Sequence, residues 1–145
     1  MGRVLTEATV ENLQDLWDVQ RGMLPPPDAR RVVIADALVD TGATTLALPA
    51  KIIQQLGLRQ LGSRSVRSST GVGEAALYDA VRLTIQGRSC TVDVMEVPDD
   101  VPALIGQVPL ELLDFVVDPG GQKLMGNPAH GGQHVLEAYW AKESK

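Results

Sequence analysis

The sequence has few of the features that mark exported, zinc-binding or membrane proteins. Among its 145 residues there is one cysteine, Cys90, which excludes an intrachain disulfide framework and a cysteine-based zinc site. No run approaches the ~20 consecutive apolar residues of a membrane-spanning helix. The N-terminus has no apolar segment of the secretory type. We therefore expect a cytoplasmic protein without membrane contact.

Aromatic residues and an excess of positive charge are also missing. Aromatic residues make up 3% of the chain, so the core must consist of Val, Leu, Ile and Ala. Thirteen basic and eighteen acidic residues give a net charge of −5. This charge argues against a nucleic-acid partner, because phosphate binding depends mainly on cationic side chains. The length and the 44% hydrophobic content predict one globular domain over residues 1–145.

Gly and Pro divide the chain into short segments, most of which are predicted to be strands. The predicted strands lie at residues 4–10, 16–24, 31–39, 64–69, 75–85, 90–97, 103–105 and 134–140, with a hairpin turn at 119–121. Helices are predicted at Pro49–Leu56, which Gly57 ends, and at 109–114. For 16–24 a helix is the alternative, because Leu13, Leu16 and Trp17 also fit one helical face. The pattern indicates an all-β fold with one or two short helices.

The most informative residue is the acid that follows the apolar strand 31–39. Asp40 stands where an isolated carboxylate loses hydration, so its presence needs an explanation. Gly42 allows a tight turn and a close approach to whatever Asp40 faces. The hydroxyls of Thr41 and Thr44 can donate to nearby carbonyls or to the carboxylate. An ordinary β-turn built on Asp and Gly is the alternative interpretation.

Three motifs in this order resemble the retropepsin-like aspartic proteases, the retroviral-protease superfamily, which also has bacterial members. The first is the apolar strand running into Asp-Thr-Gly-Ala at residues 38–43. The second is the glycine-rich segment 69–73, at the position of the β-hairpin flap in that family. The third, at 104–106, is two apolar residues and a glycine before a short helix. The chain is similar to a bacterial-type member over roughly residues 31–125.

This resemblance implies a retropepsin-like fold, a closed β-barrel-like lobe with a flap hairpin. The chemistry of the family needs two facing carboxylates, whereas this chain has one Asp-Thr-Gly. The resemblance therefore implies a homodimer in which Asp40 of each subunit meets at a two-fold axis. The pair would share a proton and activate a water against a peptide bond of an extended polypeptide. No metal and no organic cofactor is implied.

The resemblance also implies the residues of the site, in three groups. The groups are Asp40 as the catalytic residue, with Thr41, Gly42 and Ala43 supporting its loop; Thr70, Gly71, Val72 and Gly73 in the substrate-binding flap; and Leu104, Ile105 and Gly106 under the loop. Thr41 would form a hydrogen bond across the dimer, and the flap would close over the substrate. Residues 1–30 and 126–145 would be N-terminal and C-terminal extensions of the family core.

Several other residues are weaker candidates. The aliphatic side chains expected to line substrate subsites are Leu46, Leu48, Val72 and Ile105. His130 and His134 lie in a glycine-rich segment and are expected to be solvated in a loop rather than to bind a metal. Cys90 is expected to be a small buried hydrophobe without a nucleophilic role.

Two other functions are compatible with these motifs. A dimeric module that grips a peptide or a protein without cleaving it would keep the same fold. A β-domain in which Asp40 only caps a turn would keep the same local sequence. An intact Asp-Thr-Gly favours the endopeptidase, because an acid in this position is costly unless it is used.

Overall fold

The computed structural model describes residues 3–68, 70–118 and 120–137, and this part of the chain is mostly strand. The strands are β1 (Leu5–Asn12), β2 (Arg31–Val39), β3 (Leu46–Pro49), β4 (Gln60–Ser68), β5 (Gly71–Ile85), β6 (Arg88–Val97), β7 (Leu104–Ile105), β8 (Phe115–Asp118) and β9 (Lys123–Gly126). The helices are α1 (Leu13–Gln20), α2 (Ala50–Leu56) and α3 (Gln107–Leu113). The prediction of an all-β fold with few short helices is confirmed, and α1 is present in addition to the two predicted helices. None of these helices is long and apolar enough to cross a membrane.

Seven strands form one sheet that closes on itself. The strand order is β1-β2-β7-β3-β6-β5-β4, and β1 also pairs with β5. This additional pairing closes six strands into a barrel and leaves β4 as the outer strand of a hairpin with β5. The β2–β7 and β3–β6 pairs are parallel, so the ends of β2 and β7 meet at one edge of the barrel. That edge is where the chain continues into Asp40.

The core fills the interior of the barrel with aliphatic side chains, as the composition predicted. Val39, Ile105, Leu46 and Val94 are paired laterally across four neighbouring strands, and each is at most 9% exposed. Because side chains alternate along a strand, the residues between these buried ones point to the outside of the barrel. The alternation in β2 therefore makes this strand buried on one face only.

The predicted strand at 16–24 is wrong, because residues 13–20 form α1 instead. The side-chain oxygen of Asn12 accepts a hydrogen bond from the Asp15 backbone N–H at 3.0 Å, which caps the start of the helix. The Asp15 carboxylate accepts two hydrogen bonds from the Arg30 guanidinium, at 2.8 and 3.0 Å. The hydrogen bonds from this guanidinium lower the pKa of Asp15 despite its burial. Trp17, counted in the helical face, is 49% exposed.

The predicted helix after Pro49 is confirmed, and a residue outside it helps to start it. Gly57 ends α2 with φ of 63°, a left-handed conformation that favours glycine. At the other end, Asp99 Oδ1 accepts a hydrogen bond from the Lys51 backbone N–H at 2.9 Å. The Asp99 side chain therefore satisfies an amide at the start of this helix that has no partner within the helix.

The C-terminal part of the described chain is fastened to the barrel through Arg88. Its guanidinium lies 4.6 Å from the centre of the Phe115 ring. It donates hydrogen bonds to the carbonyls of Leu113 at 3.0 Å, Asp114 at 2.8 Å and Gly132. Residues 134–137 do not form the predicted strand 134–140, and residues 138–140 lie outside the described residues. Position 119 of the predicted hairpin turn between β8 and β9 also lies outside the described residues.

Candidate active site

The loop after β2 is held by its own backbone. The Asp40 N–H donates to the Ile105 carbonyl at 3.0 Å, and the Ala43 N–H donates to the Asp40 carbonyl at 3.0 Å. The Gly42 N–H donates to Asp40 Oδ1 at 3.0 Å, which fixes the orientation of the half-buried carboxylate. A Cβ at position 42 would lie 3.2 Å from the same oxygen, so glycine leaves this contact undisturbed.

The first turn of α3 supports the same loop from the other side. The Gln107 N–H donates to the Ala43 carbonyl at 2.8 Å, and the Val108 N–H donates to the Thr44 carbonyl at 2.9 Å. These amides belong to the first turn of a helix, where they have no partner within the helix. The predicted contact between the segment at 104–106, its helix and the Asp40 loop is thus visible as backbone hydrogen bonds.

Gly106 lies so close to the loop that no side chain fits there. Its N–H donates to the Thr45 carbonyl at 3.1 Å. A Cβ at Gly106 would stand 2.5 Å from the Thr45 carbonyl oxygen and 2.7 Å from that of Ala43. Since both contacts are to backbone atoms, a side chain would have to displace the loop that carries Asp40.

The threonine hydroxyls play a smaller part in the loop than the sequence suggested. Thr41 and Thr44 are exposed, and neither hydroxyl makes a hydrogen bond to another of the described residues. Thr45 is the threonine whose Oγ1 contacts a carbonyl, that of Asp93, at 3.4 Å. The loop therefore depends on backbone amides, and the Thr41 hydroxyl is accessible.

Asp40 shares one face of the sheet with a lateral row of paired residues, which we call the cleft face. This row crosses all seven strands and consists of Leu5, Leu38, Leu104, Ala47, Met95, Leu77 and Gly62. Asp40 follows Leu38 by two residues, so alternation brings it to the same face. Most members of the row are partly exposed, although Ala47 is fully buried. An apolar, half-exposed surface therefore runs from beside Asp40 towards the flap hairpin.

None of the four apolar residues expected to line subsites lies on the cleft face; three of them point into the barrel, and Val72 lies on the far face of the flap hairpin. Leu46, Leu48 and Ile105 are at most 1% exposed and point into the barrel. Their neighbours Ala47 and Leu104 belong to the cleft face instead. The sequence-based choice was thus one residue out of phase, because a shift of one position moves a side chain to the opposite face of a strand.

The flap predicted around residues 70–73 is a β-hairpin formed by β4 and β5. Arg67 pairs with Val72, and Val66 pairs with Gly73. Gly73 and Leu77 are four residues apart on β5, so both lie on the cleft face. Val72 is next to Gly73 and therefore lies on the opposite face, where it is 71% exposed. Thr70 and Gly71 lie at the end of the hairpin, and Ser69 between the strands is outside the described residues.

A cavity of about 570 Å³ opens beside the cleft face, between the start of β1, the middle of β2, the N-terminal end of α2 and the loop before β7. The charged residues that line it are Arg3, Asp36, Lys51, Asp99 and Asp100. Leu5 of the cleft face also lines it. Asp40 is not among the lining residues, so the cavity is a neighbour of the Asp40 site and not part of it.

The other potentially reactive side chains, Cys90 and His130, are partly buried or held by hydrogen bonds away from the Asp40 loop. Burial raises the pKa of the Cys90 thiol to about 11, which keeps it protonated and weakly nucleophilic at neutral pH. His130 is not solvated as expected: its side chain is 14% exposed, with Nδ1 2.7 Å from Asp114 Oδ2 and Nε2 2.7 Å from Glu137 Oε2. Among the described residues, no group of three His, Cys, Asp or Glu side chains is arranged to hold a metal ion.

Comparison with solved structures shows the same fold. The chain is similar to the EIAV protease in complex with the inhibitor HBY-793, with 17% identity and a TM-score of 0.51, over 76% of this chain and 86% of that one. It also matches the solution structure of the Simian Foamy Virus (mac) protease, with 17% identity and a TM-score of 0.46, over 75% and 93% of the two chains. The first of these likenesses shows that the fold is retropepsin-like. No curated protein matches the sequence significantly.

A family model described as gag-polyprotein putative aspartyl protease matches residues 33–112. This span is more than half of the chain, and it contains the Asp40 loop, the flap hairpin and Gly106 with most of α3. The three motifs that the sequence placed in order are thus the ones that the family model covers. The chain belongs to the gag-polyprotein putative aspartyl protease family.

Proposed function

We propose that the chain is one subunit of a homodimeric aspartic endopeptidase, with Asp40 as the catalytic residue of each subunit. The observation that carries this proposal is the position of the Asp40 carboxylate. It is oriented by the Gly42 N–H at the end of β2 and lies beside a half-exposed apolar face that leads to a flap hairpin. A peptide in extended conformation fits such a face, because it can add as a strand to the flap.

The dimer follows from the number of carboxylates. One Asp-Thr-Gly per chain supplies one catalytic acid, whereas the hydrolysis of a peptide bond by this chemistry needs an acid and a base at once. A two-fold axis next to Asp40 would bring the same loop of a second chain opposite the first. The accessible hydroxyl of Thr41 is available for a hydrogen bond to the partner loop at this axis.

The chemistry then follows the pairing of two close carboxylates, which hold one proton between them. The ionised carboxylate takes a proton from water while the water oxygen bonds to the carbonyl carbon of the substrate. The protonated carboxylate donates to the carbonyl oxygen. The tetrahedral intermediate collapses when its C–N bond breaks, and the amine leaves with a proton from the pair.

The other site residues hold this centre or cover it. Gly42 and Ala43 hold the loop through backbone amides, and Leu104, Ile105 and Gly106 carry it on β7 and the start of α3. Residues Thr70–Gly73 would close over the substrate and exclude water. The described geometry supports these roles, and the proposal treats residues 1–145 as one domain with extensions at 1–30 and 126–145.

The test is the cleavage of a mixed peptide library by the wild-type chain and by Asp40→Ala, across about pH 4 to 7, followed by mass spectrometry. We expect cuts that disappear in the variant, since the carboxylate is the base of the reaction. Peptides left intact by both proteins would favour a binding module on the same fold. Cuts that persist in Asp40→Ala would contradict the assignment of Asp40.

A further inference from the structure

The two faces of the flap hairpin differ in what they present. Leu77 belongs to the cleft face, and alternation along β5 places Ala75 and Gly73 on that face as well. Directly paired residues of antiparallel strands share a face. Arg64, which pairs with Ala75, and Val66, which pairs with Gly73, therefore also lie on the cleft face.

The burial of the hairpin agrees with this assignment. On β4, Val66 is partly buried, although the residues on either side of it, Ser65 and Arg67, are exposed. On β5, Ala75 and Leu77 are partly buried. Ala76 on the opposite face is partly buried as well, but the other residues of that face are exposed, namely Ser63, Ser65, Arg67, Val72 and Glu74. The cleft side of the hairpin is thus the apolar side, and Arg64 is the charged residue that β4 adds to it.

Arg64 has the freedom and the charge to contact a substrate. The residues beside it on this face, Gly62 and Ala75, are small, so its long side chain has room to lie over the cleft. Arg64 is exposed, and it forms no ion pair with another of the described residues. A guanidinium presents a planar fork of donors that matches both oxygens of a carboxylate.

We propose that Arg64 makes the enzyme select substrates with an aspartate or glutamate side chain in the subsite under the flap. This inference rests on the proposed endopeptidase function and adds the chemistry of one subsite to it. An acidic side chain there gains a bidentate partner, whereas a lysine or arginine in the same place meets a like charge. The apolar row from Leu38 to Leu77 would accept aliphatic side chains next to the scissile bond.

The chain itself offers a matched control. Arg67 lies on the same strand and is also exposed, but its partner Val72 places it on the opposite face of the hairpin. Arg64→Glu and Arg67→Glu therefore change the net charge equally and differ only in the face that they alter. Both sites are exposed, and unfolding midpoints in urea check that the variants fold.

The experiment is the profiling of cleavage sites in a peptide library by the wild type, Arg64→Glu, Arg64→Lys and Arg67→Glu. For the wild type we expect kcat/KM about tenfold higher when one fixed substrate position is acidic, with the preference falling as salt is raised. Arg64→Glu should reverse the preference to basic residues at that position. Arg64→Lys should keep it in weakened form, and Arg67→Glu should leave it unchanged.

Each other outcome contradicts a definite part of the argument. An acidic preference that survives Arg64→Glu, or that Arg67→Glu removes equally, would overturn the role of Arg64. Cleavage without any acidic preference would overturn the substrate class while leaving the endopeptidase function in place. A wild-type chain that cleaves no peptide would overturn the proposed function, and the preference with it.

Discussion

At the scale of single residues, the position of Asp40 is defined by backbone amides. The Gly42 N–H is bonded to Oδ1, and an asparagine in place of the aspartate would keep this acceptor. The same contact would exist if Asp40 only capped a turn. The geometry of the loop alone is therefore compatible with both functions, and the charge of the carboxylate separates them.

Asp40→Asn is the variant that makes this separation. If Asp40 meets its counterpart in a dimer, the neutral amide removes a repulsion, so the free energy of unfolding near neutral pH should stay equal or rise while cleavage is lost. Urea unfolding and peptide cleavage measure the two effects. Retained cleavage with unchanged stability would point to a turn instead, because asparagine keeps the capping acceptor; Asp40→Ala would then lose about 1 kcal/mol of stability.

Gly106 is the second residue at which a small change should have a large effect. Gly106→Ala would place a Cβ 2.5 Å from the Thr45 carbonyl oxygen, so the backbone must shift at a cost of about 1–3 kcal/mol. We expect a lower urea midpoint together with a strong loss of cleavage, because the displaced loop carries Asp40. Gly120→Ala is the control, since its Cβ would meet Asp118 at 3.7 Å, an ordinary contact. Equal behaviour of the two variants would contradict this explanation.

At the scale of elements, the C-terminal segment is held by one buried acid. Asp114 lies at the end of α3 in the left-handed conformation, with φ of 59°. Burial opposes its charge, but hydrogen bonds from His130, the Val135 N–H and the Asn127 amide prevail and lower the pKa of Asp114. Hydrogen bonds to Glu137 and Asp114 raise the pKa of His130. The imidazolium therefore links the segment around residue 130 to the end of α3.

This link predicts a dependence of stability on pH. Because the pKa of His130 is raised in the folded state, its contribution is complete below the ordinary histidine value of about 6.5 and is lost as the pH rises through the raised value. The urea midpoint should therefore fall between about pH 6 and pH 9 by more in the wild type than in His130→Gln. His134→Gln is the control, because the His134 ring contacts an uncharged group, the Leu112 carbonyl, whereas the His130 ring contacts two carboxylates. Parallel curves for wild type and His130→Gln would contradict the prediction.

At the scale of the whole molecule, the site is built by strands that are far apart in sequence. The row from Leu5 to Gly62 joins seven strands, and β1 from the N-terminal segment pairs with both β2 and β5. The Asp40 loop, α3 and the flap hairpin are therefore all attached to one closed sheet. Under the proposed function, the other half of the catalytic centre comes from a second chain.

A mixing experiment tests the second chain directly. Wild-type chains combined with an excess of Asp40→Asn chains form mixed dimers that contain one catalytic aspartate. At about a ninefold excess, roughly one wild-type chain in ten has a wild-type partner, so the cleavage rate per wild-type chain should fall about tenfold. The same amount of an unrelated, inert protein in place of the Asp40→Asn chains is the control for the effect of added protein. An unchanged rate per wild-type chain would show that one chain acts alone.

Local patterns in the sequence were sufficient for most elements and for the centre of the site. Alternation, glycine and proline positions and the strand before Asp40 predicted the barrel strands other than β3, and also α2, the flap hairpin and the loop at 104–106. These features depend on residues that are near each other in the chain. For the same reason, the apolar strand running into Asp-Thr-Gly was recognisable before any contact was known.

What only the tertiary structure decided are the features that depend on distant partners. Helix α1 replaced a predicted strand because Asp15 binds Arg30, fifteen residues away, while Asn12 caps its start. His130 is mostly buried instead of solvated because its ring contacts the Asp114 carboxylate. The sequence did not predict which side chains, including that of Arg64, lie on the cleft face, because this depends on the lateral register of seven strands. Alternation tells which residues share a face, but pairing alone determines which of the two faces Asp40 lies on.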